Sequence, residues 1–434
     1  MHPILLRITL PEWKLPWIGE LHAIPIHSYG VMLGLSLVVG WYLTLGLAEK
    51  DAVAQMGSPA DPALVSRLKE TLANCYVVTA LSAVVMARIF YFITNPSEFK
   101  SPLEFFALWR GGLVAYGGFI GGFLGSYFFL RHHRLRLLPW ADAAVPSLAS
   151  GLFLTRIGCY MFGCDFGKPL PDGAPGWLKT AGTFPHWPDG TLTRGSGAPA
   201  WLQHVQHNLI SADSPASLPV HPTQIYESLV GALLLALLFW VRKHQKFRGQ
   251  VFLVFACSYG VLRFLLEIVR DDLERGEFGP HMPEHWVVAV GLLLFAAGYI
   301  AFVANAVKDV TLRRLTQAVA LVPAVIAFLV LRPESFAEAT LIQLSTSQWV
   351  AVLTGLPAAV AFGIYWKAAE MHPETAMSLA LEGFRGADQP AAAEKSGEAN
   401  EPEARKDAAS AGETKQPSES EDPPADRSDD KPAE

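Results

Sequence analysis

Residues 257–272 read CSYGVLRFLLEIVRDD, placing ionisable groups inside an otherwise apolar block. Tyr259, Arg263 and Glu267 recur every four residues, so a helix puts them on one face, with Arg270 three beyond Glu267. A charge at the centre of a bilayer costs about 2.5–3.5 kcal/mol on insertion scales, so such a stripe either neutralises itself or lines a polar chamber. Arg156, in LTRIGCYMFGCDFG, and Arg88, in ARIFYF, stand in two further apolar blocks. Arginines from three helices, with few acidic residues to match, describe a site for an anion. Guanidinium grips phosphate through paired hydrogen bonds and cannot escape burial by losing its proton. At that depth the expected anion is a phospholipid headgroup.

Other polar or flexible residues gather near the same ends of the apolar blocks. In WRGGLVAYGGFIGGFLG, Gly117, Gly121 and Gly125 recur every four residues, as do Gly118 and Gly122. That spacing suits close helix packing; Gly117 and Gly118, beside Tyr116, would also let a headgroup approach the backbone. HPTQIYE begins a helix at His221 and Pro222, since proline is tolerated in the first turn. His221, Gln224 and Tyr226 then lie near the membrane surface, and Glu227 reads equally well as a first-turn acid favoured by the helix dipole. Cys159 and Cys164 lack the spacing of a zinc knuckle. Five residues apart on a helix they point in different directions, so two free thiols and no metal are expected.

The elements that must position these residues are membrane spans. The chain has 434 residues, 51% hydrophobic and only 17% charged, where a soluble protein carries about 25% charge. Its acidity is confined to one end: residues 381–434 hold 15 acidic and 7 basic side chains, a net of −8, against −6 for the whole chain, so the rest carries about +2. A soluble enzyme is excluded. Nine blocks are apolar enough to span: about 28–47, 74–94, 112–130, 141–162, 223–241, 250–269, 285–303, 315–331 and 348–366. The expected fold is therefore an all-α polytopic bundle spanning 28–370. The basic loops RHHRLR, RKHQKFR and the one ending in Arg313 and Arg314 follow blocks three, five and seven. They place one side of the membrane inside and the amino terminus outside, so residues 1–27 form an external segment. The Gly-, Pro- and Trp-rich stretch 163–222 also faces outward, where a long loop is functional or disordered. Residues 371–434 cannot bury enough apolar area to order themselves and read as a disordered, acidic cytoplasmic tail. No cleavable signal peptide is expected in residues 1–17.

Taken together, HSYGVMLG, ARIFYF, WRGGLVAYGGFIGG, TRIGCYMFGCDFG, HPTQIYE, YGVLRFLLEIVRDD and SQWVAV, in this order from Tyr29 to Trp366, resemble the prolipoprotein diacylglyceryl transferase family of bacterial inner-membrane enzymes. The resemblance implies a seven-span core with an external amino terminus and two spans, about 285–331, inserted before the last core helix. It implies transfer of the diacylglyceryl group of phosphatidylglycerol to the lipobox cysteine of a prolipoprotein signal peptide, in the cytoplasmic membrane. Membrane lipid and the signal peptide are then the partners; no cofactor and no nucleic acid are expected. Under this resemblance Arg156 and Arg263 hold the phosphate, Glu267 orients Arg263, and Tyr29, Tyr226 and Tyr259 shape the headgroup pocket with Gln224. Gly167 matches the glycine closing the fourth-span motif. Arg88, Gly117, Gly118, His221 and Arg270 complete the substrate-binding set. Tyr116 stands where the family usually has histidine, and Cys159 and Cys164 where it has asparagine and glutamate. A phenol is a poorer base than imidazole at neutral pH, so Tyr116, Asp165 and His221 all remain candidates for the thiol proton. A transferase with another acceptor, or a non-catalytic lipid-binding paralogue, would share most of these features.

Overall fold

The computed structural model describes residues 3–15, 19–56, 61–96, 105–106, 112–187, 197–271, 276–335 and 338–385. The long helices are α1 (Ser28–Met56), α2 (Pro62–Thr94), α3 (Ala115–His132), α4 (Leu137–Phe162), α7 (Thr223–Lys243), α8 (Gln250–Leu266), α9 (Glu284–Gly298), α10 (Val310–Val330) and α11 (Thr346–Met371). Two short helices, α5 (Gly176–Ala181) and α6 (Pro199–Gln206), lie between α4 and α7; α12 (Pro373–Ala376) and α13 (Glu382–Arg385) follow α11. Eight of the long helices are long and apolar enough to cross a membrane, making this a multi-pass membrane protein. The remaining expected block is α3, 18 residues long and rich in glycine.

Packing follows the small residues. α2 lies against α3, α1 against α4, α4 against α7, and α8 against α11. A Cβ on Gly117 would sit 2.5 Å from the Met86 carbonyl, and one on Gly121 would meet the Ser82 carbonyl more closely still. The α3 glycines thus let two backbones touch, which supplies dispersion contact where lipid offers no hydrophobic driving force.

Not everything is helical. β1 (Ile4–Leu15) and β2 (Gly19–His27) form an antiparallel hairpin ahead of α1. β3 (Glu277–Pro283) pairs with β4 (Leu341–Ser345) across the base of the α9–α10 hairpin, with Glu277 opposite Ser345 and Pro283 opposite Leu341. The expected 163–222 loop contains α5 and α6 around a small core of Phe166, Phe184, Trp187, Ala198, Ala200 and Val220. Pro199 opens α6 in the first turn, where its missing N–H costs nothing. Residues 371–385, expected to be part of a disordered tail, are ordered, and those from 379 on pack against the bundle. Leu379, Leu381 and Phe384 are buried with Leu45, Leu130 and Trp140, and Arg67 stacks over the Phe384 ring at 4.3 Å. These three apolar residues suffice to anchor the segment; residues 386–434, with the rest of the expected tail, lie outside the described residues.

The basic-loop end of the bundle is closed by a buried aspartate, Asp142, and a half-buried one, Asp51. Asp142 of α4 accepts hydrogen bonds from the Phe252 N–H at 2.9 Å, from the Gly249 N–H and from the Gln245 amide. It thereby satisfies amide groups at the start of α8 that have no partner within their own helix. Asp51 of α1 pairs with Arg242 and Arg248, each at 2.7 Å. Asp142→Ala leaves those buried donors unsatisfied and should destabilise the protein by about 2–4 kcal/mol. Thermal unfolding in detergent checks this: a melting temperature equal to wild type would show that Asp142 does not hold α8.

Candidate active site

At the opposite end from Asp142, α4 carries Arg156 nearly two turns before its terminus. The helix stops at Gly163, whose φ of 86° suits a left-handed cap and whose N–H bonds back to the Cys159 carbonyl at 2.7 Å. Asp165 is also left-handed, φ 55°, a conformation that costs most side chains about 1–2 kcal/mol but that aspartate tolerates. The two left-handed residues fold the chain back over the helix end. Asp165 Oδ2 then meets Arg156 Nη1 at 2.7 Å, while Oδ1 pairs with Arg270 Nη2.

Glu227 is the centre of the constellation. It lies on the second turn of α7, 2% exposed. Arg156 Nε reaches its Oε2 at 2.5 Å and Arg263 Nη1 its Oε1 at 3.1 Å, so one carboxylate joins α4 and α8. Arg263 Nη1 also meets Glu267 Oε2 at 2.8 Å, the contact expected from their four-residue spacing. Glu267 itself begins a 3-10 turn, Glu267–Val269, that ends α8 and swings Arg270 toward Asp165. From α11, Ser347 Oγ accepts from Arg263 Nη2 at 2.9 Å and lies 2.7 Å from Tyr116 Oη of α3. Three guanidiniums and three carboxylates, drawn from α4, the turn after it, α7 and α8, form one network. Burial would push the Asp165 carboxyl up, but Arg156 and Arg270 beside it outweigh that and hold it at about 2.

The other expected residues divide. Tyr259 is within electrostatic reach of Arg263, Glu227, Arg156 and Tyr116, and Tyr29 of Cys159, Cys164, Arg156 and Asp165. Gln224 is fully buried and donates to the Cys164 carbonyl. Gly167 is a point of close approach: a Cβ there would lie 2.4 Å from the Val269 carbonyl, and its N–H bonds the His221 carbonyl at 3.0 Å. His221 Nδ1 and Tyr226 Oη are 3.3 Å apart; burial, then Lys168, lowers the histidine's pKa. Arg88 has backbone partners. It is buried and donates to the carbonyls of Phe105 and Gly112, both at 2.9 Å, which braces the chain between α2 and α3. Gly117 is occupied with packing against α2, whereas a Cβ on Gly118 would come no closer than 3.7 Å to Ala83.

The two thiols are free, as expected, but lie close together. Because α4 ends at Gly163, Cys164 turns back, and its sulfur, the Cys159 sulfur and an Asp165 oxygen lie within 4.8 Å of one another. The trio has the spacing of a cation site, but two guanidiniums already occupy the Asp165 oxygens and oppose a metal there. Cys164 donates to Asp165 Oδ2 at 3.5 Å. The contact with Cys159, burial and Asp165 all push its thiol well above the ordinary range, which favours the thiol over the thiolate.

A family model described as prolipoprotein diacylglyceryl transferase matches residues 16–304. The chain belongs to that family. Its relatives include the phosphatidylglycerol–prolipoprotein diacylglyceryl transferase of Thermus thermophilus, 32% identical over 250 residues, which are 57% of this chain and 81% of that protein. The enzyme of the same name from Psychrobacter arcticus is 31% identical over 257 residues, 58% and 80% of the two chains. Transferase 2 of Clostridium perfringens is 27% identical over 263 residues, 60% and 85%. α11, which supplies Ser347, lies beyond the residues matched by the family model.

Glu227, Asp165 and Ser347 are the residues that sequence reasoning undervalued. An excess of membrane arginines over carboxylates was itself a signal, since each buried guanidinium requires a partner. Glu227→Gln should leave Arg156 and Arg263 sharing a neutral amide and cost about 3 kcal/mol of stability. An unchanged unfolding midpoint would deny it the central place. The depressed Asp165 contributes stability that is complete above its ordinary value of 3.8 and vanishes as pH falls toward 2. Wild type should lose roughly 2 kcal/mol over that window through this group. Asp165→Asn should flatten that part of the acid unfolding curve, followed by tryptophan fluorescence.

Proposed function

We propose that this chain transfers the diacylglyceryl group of phosphatidylglycerol to the lipobox cysteine of prolipoproteins at the outer face of a bacterial cytoplasmic membrane. Family membership supports the reaction, and the shared Glu227 between Arg156 and Arg263 is the observation that carries it to these residues. The distribution of basic loops supports an outward-facing site. The bundle serves as the transmembrane domain, and the pairing of β3 with β4 supports reading α9–α10 as an inserted hairpin.

In this reaction the acceptor sulfur attacks a glyceryl carbon while glycerol phosphate departs with its charge. Cations fixed in a site of low dielectric stabilise that departing charge without reorganising at the moment of reaction. Glu227 and Glu267 fix Arg263, and Glu227 and Asp165 fix Arg156. Among the described residues Arg156 Nη2 has no partner, which leaves an edge for a lipid phosphate. Tyr29, Tyr259 and Gln224 border the headgroup, with His221, Tyr226 and Gly118 along the approach; Gly167 lets the chain pack against Val269 and His221, and Arg270 acts through Asp165.

Purified full-length protein, labelled phosphatidylglycerol and a lipobox peptide test the reading directly. Wild type should produce labelled thioether peptide, and a chain that yields none at verified folding would refute the assignment. Arg263→Gln should reduce turnover by about 10²–10³-fold, the range for losing one charge-stabilising donor. Normal turnover in that variant would remove Arg263 from phosphate stabilisation.

A further inference from the structure

Ser347 sits in the first turn of α11, yet the helix does not use its hydroxyl. The cap is built from Ser345, whose Oγ accepts from the Gln348 N–H at 3.1 Å, and from the Gln348 side chain, which accepts from the Ser345 N–H at 3.0 Å. Ser347 Oγ instead bridges Arg263 Nη2, at 2.9 Å, and Tyr116 Oη, at 2.7 Å. A guanidinium can only donate, so the serine oxygen accepts from Arg263. Either hydroxyl of the Tyr116–Ser347 pair can donate to the other; with Tyr116 as donor, the serine proton is available to an acceptor at Arg263. Both hydroxyls therefore lie on a line that leads from α3 to the phosphate-binding guanidinium.

We propose that Tyr116 and Ser347 relay the proton of the acceptor thiol to the leaving phosphate. The relay rests on the transferase reading above. As the C–S bond forms and the glyceryl C–O bond breaks, the electron pair of the latter goes to the phosphate oxygen. The thiol proton passes to Tyr116 Oη, the phenolic proton to Ser347 Oγ, and the serine proton to a phosphate oxygen beside Arg263. Each hydroxyl ends with one proton, and the products are the thioether and protonated glycerol phosphate; no further reactant is required. The relay also resolves the weakness of a phenol as a base. Neither hydroxyl has to hold a charge, because proton uptake and release occur together. Tyr116 is the catalytic residue in contact with the thiol, and Ser347 positions it and completes the path.

The experiment uses the full chain in phosphatidylglycerol vesicles with a lipobox peptide, comparing wild type, Ser347→Ala, Ser347→Thr, Tyr116→Phe and the Ser347→Ala/Tyr116→Phe pair. Ser347→Ala should lower kcat by roughly 100-fold, a typical share for a proton-transfer group. Its KM for phosphatidylglycerol should stay within about twofold, because uniform binding is untouched. Ser347→Thr, which keeps the hydroxyl, should restore most of the rate. The double variant should be no slower than the slower single one, since both break the same path. In mixtures of light and heavy water, wild-type rates should curve with deuterium content, as several protons in flight require, and those of Ser347→Ala should not. A wild-type kcat and pH profile in Ser347→Ala, multiplicative losses in the double variant, or a straight wild-type isotope plot would each overturn the relay while leaving the transferase reading in place. Absence of transfer by wild type would remove that reading and the relay with it.

Discussion

An arginine buried among apolar helices cannot discharge itself, so the bundle must bring carboxylates to it. That requirement organises the end of the bundle that holds Glu227. Glu227 accepts from Arg156 and Arg263, and neither contact survives if α4, α7 and α8 separate. Asp165 meets the same demand from outside the helices. It reaches Arg156 and Arg270 only because the chain turns left-handed at Gly163 and again at Asp165 itself. The loop following α4 is thus fixed by charge neutralisation as much as by its own small core.

The two ends of the bundle use the same chemistry for different purposes. At the basic-loop end, Asp142 and Asp51 are saturated by amides and guanidiniums within the protein, and the segment after α11 seals the region with Phe384 and its neighbours. At the other end Arg156 keeps an edge open beside the carboxylates that hold it. The first arrangement joins helices permanently. The second holds cations in place, the arrangement that preorganised electrostatic catalysis requires.

Periodicity made part of this site legible in the sequence. The four-residue spacing of Tyr259, Arg263 and Glu267 fixed one helix face, and the Arg263–Glu267 contact lies where that spacing puts it. Lone arginines in apolar blocks flagged Arg156, but the same criterion flagged Arg88, which braces backbone carbonyls. Spacing could not distinguish them, because a guanidinium is satisfied equally by a phosphate or by carbonyls that only tertiary structure delivers. Glu227 resembled an ordinary first-turn acid for the same reason: its two partners are 71 and 36 residues away in sequence. Cys159 and Cys164 come together because the helix that would part them ends at Gly163. The membrane spans were readable from composition, whereas the β3–β4 pairing joins strands separated by the whole α9–α10 hairpin.

That pairing has an outcome for how the protein can vary. Glu277 faces Ser345, the Trp349 indole donates to the Phe278 carbonyl at 2.9 Å, and α11 begins at the next residue after β4. The strands act as an indexing clamp for the rotational phase of α11. α9 between them packs Val288, Leu292 and Phe295 against Phe264 and Ala351, so the strands and this apolar face together set the position of α11. Slippage by a single residue would rotate α11 by about 100° and carry Ser347 away from Arg263, although every transmembrane segment remained intact.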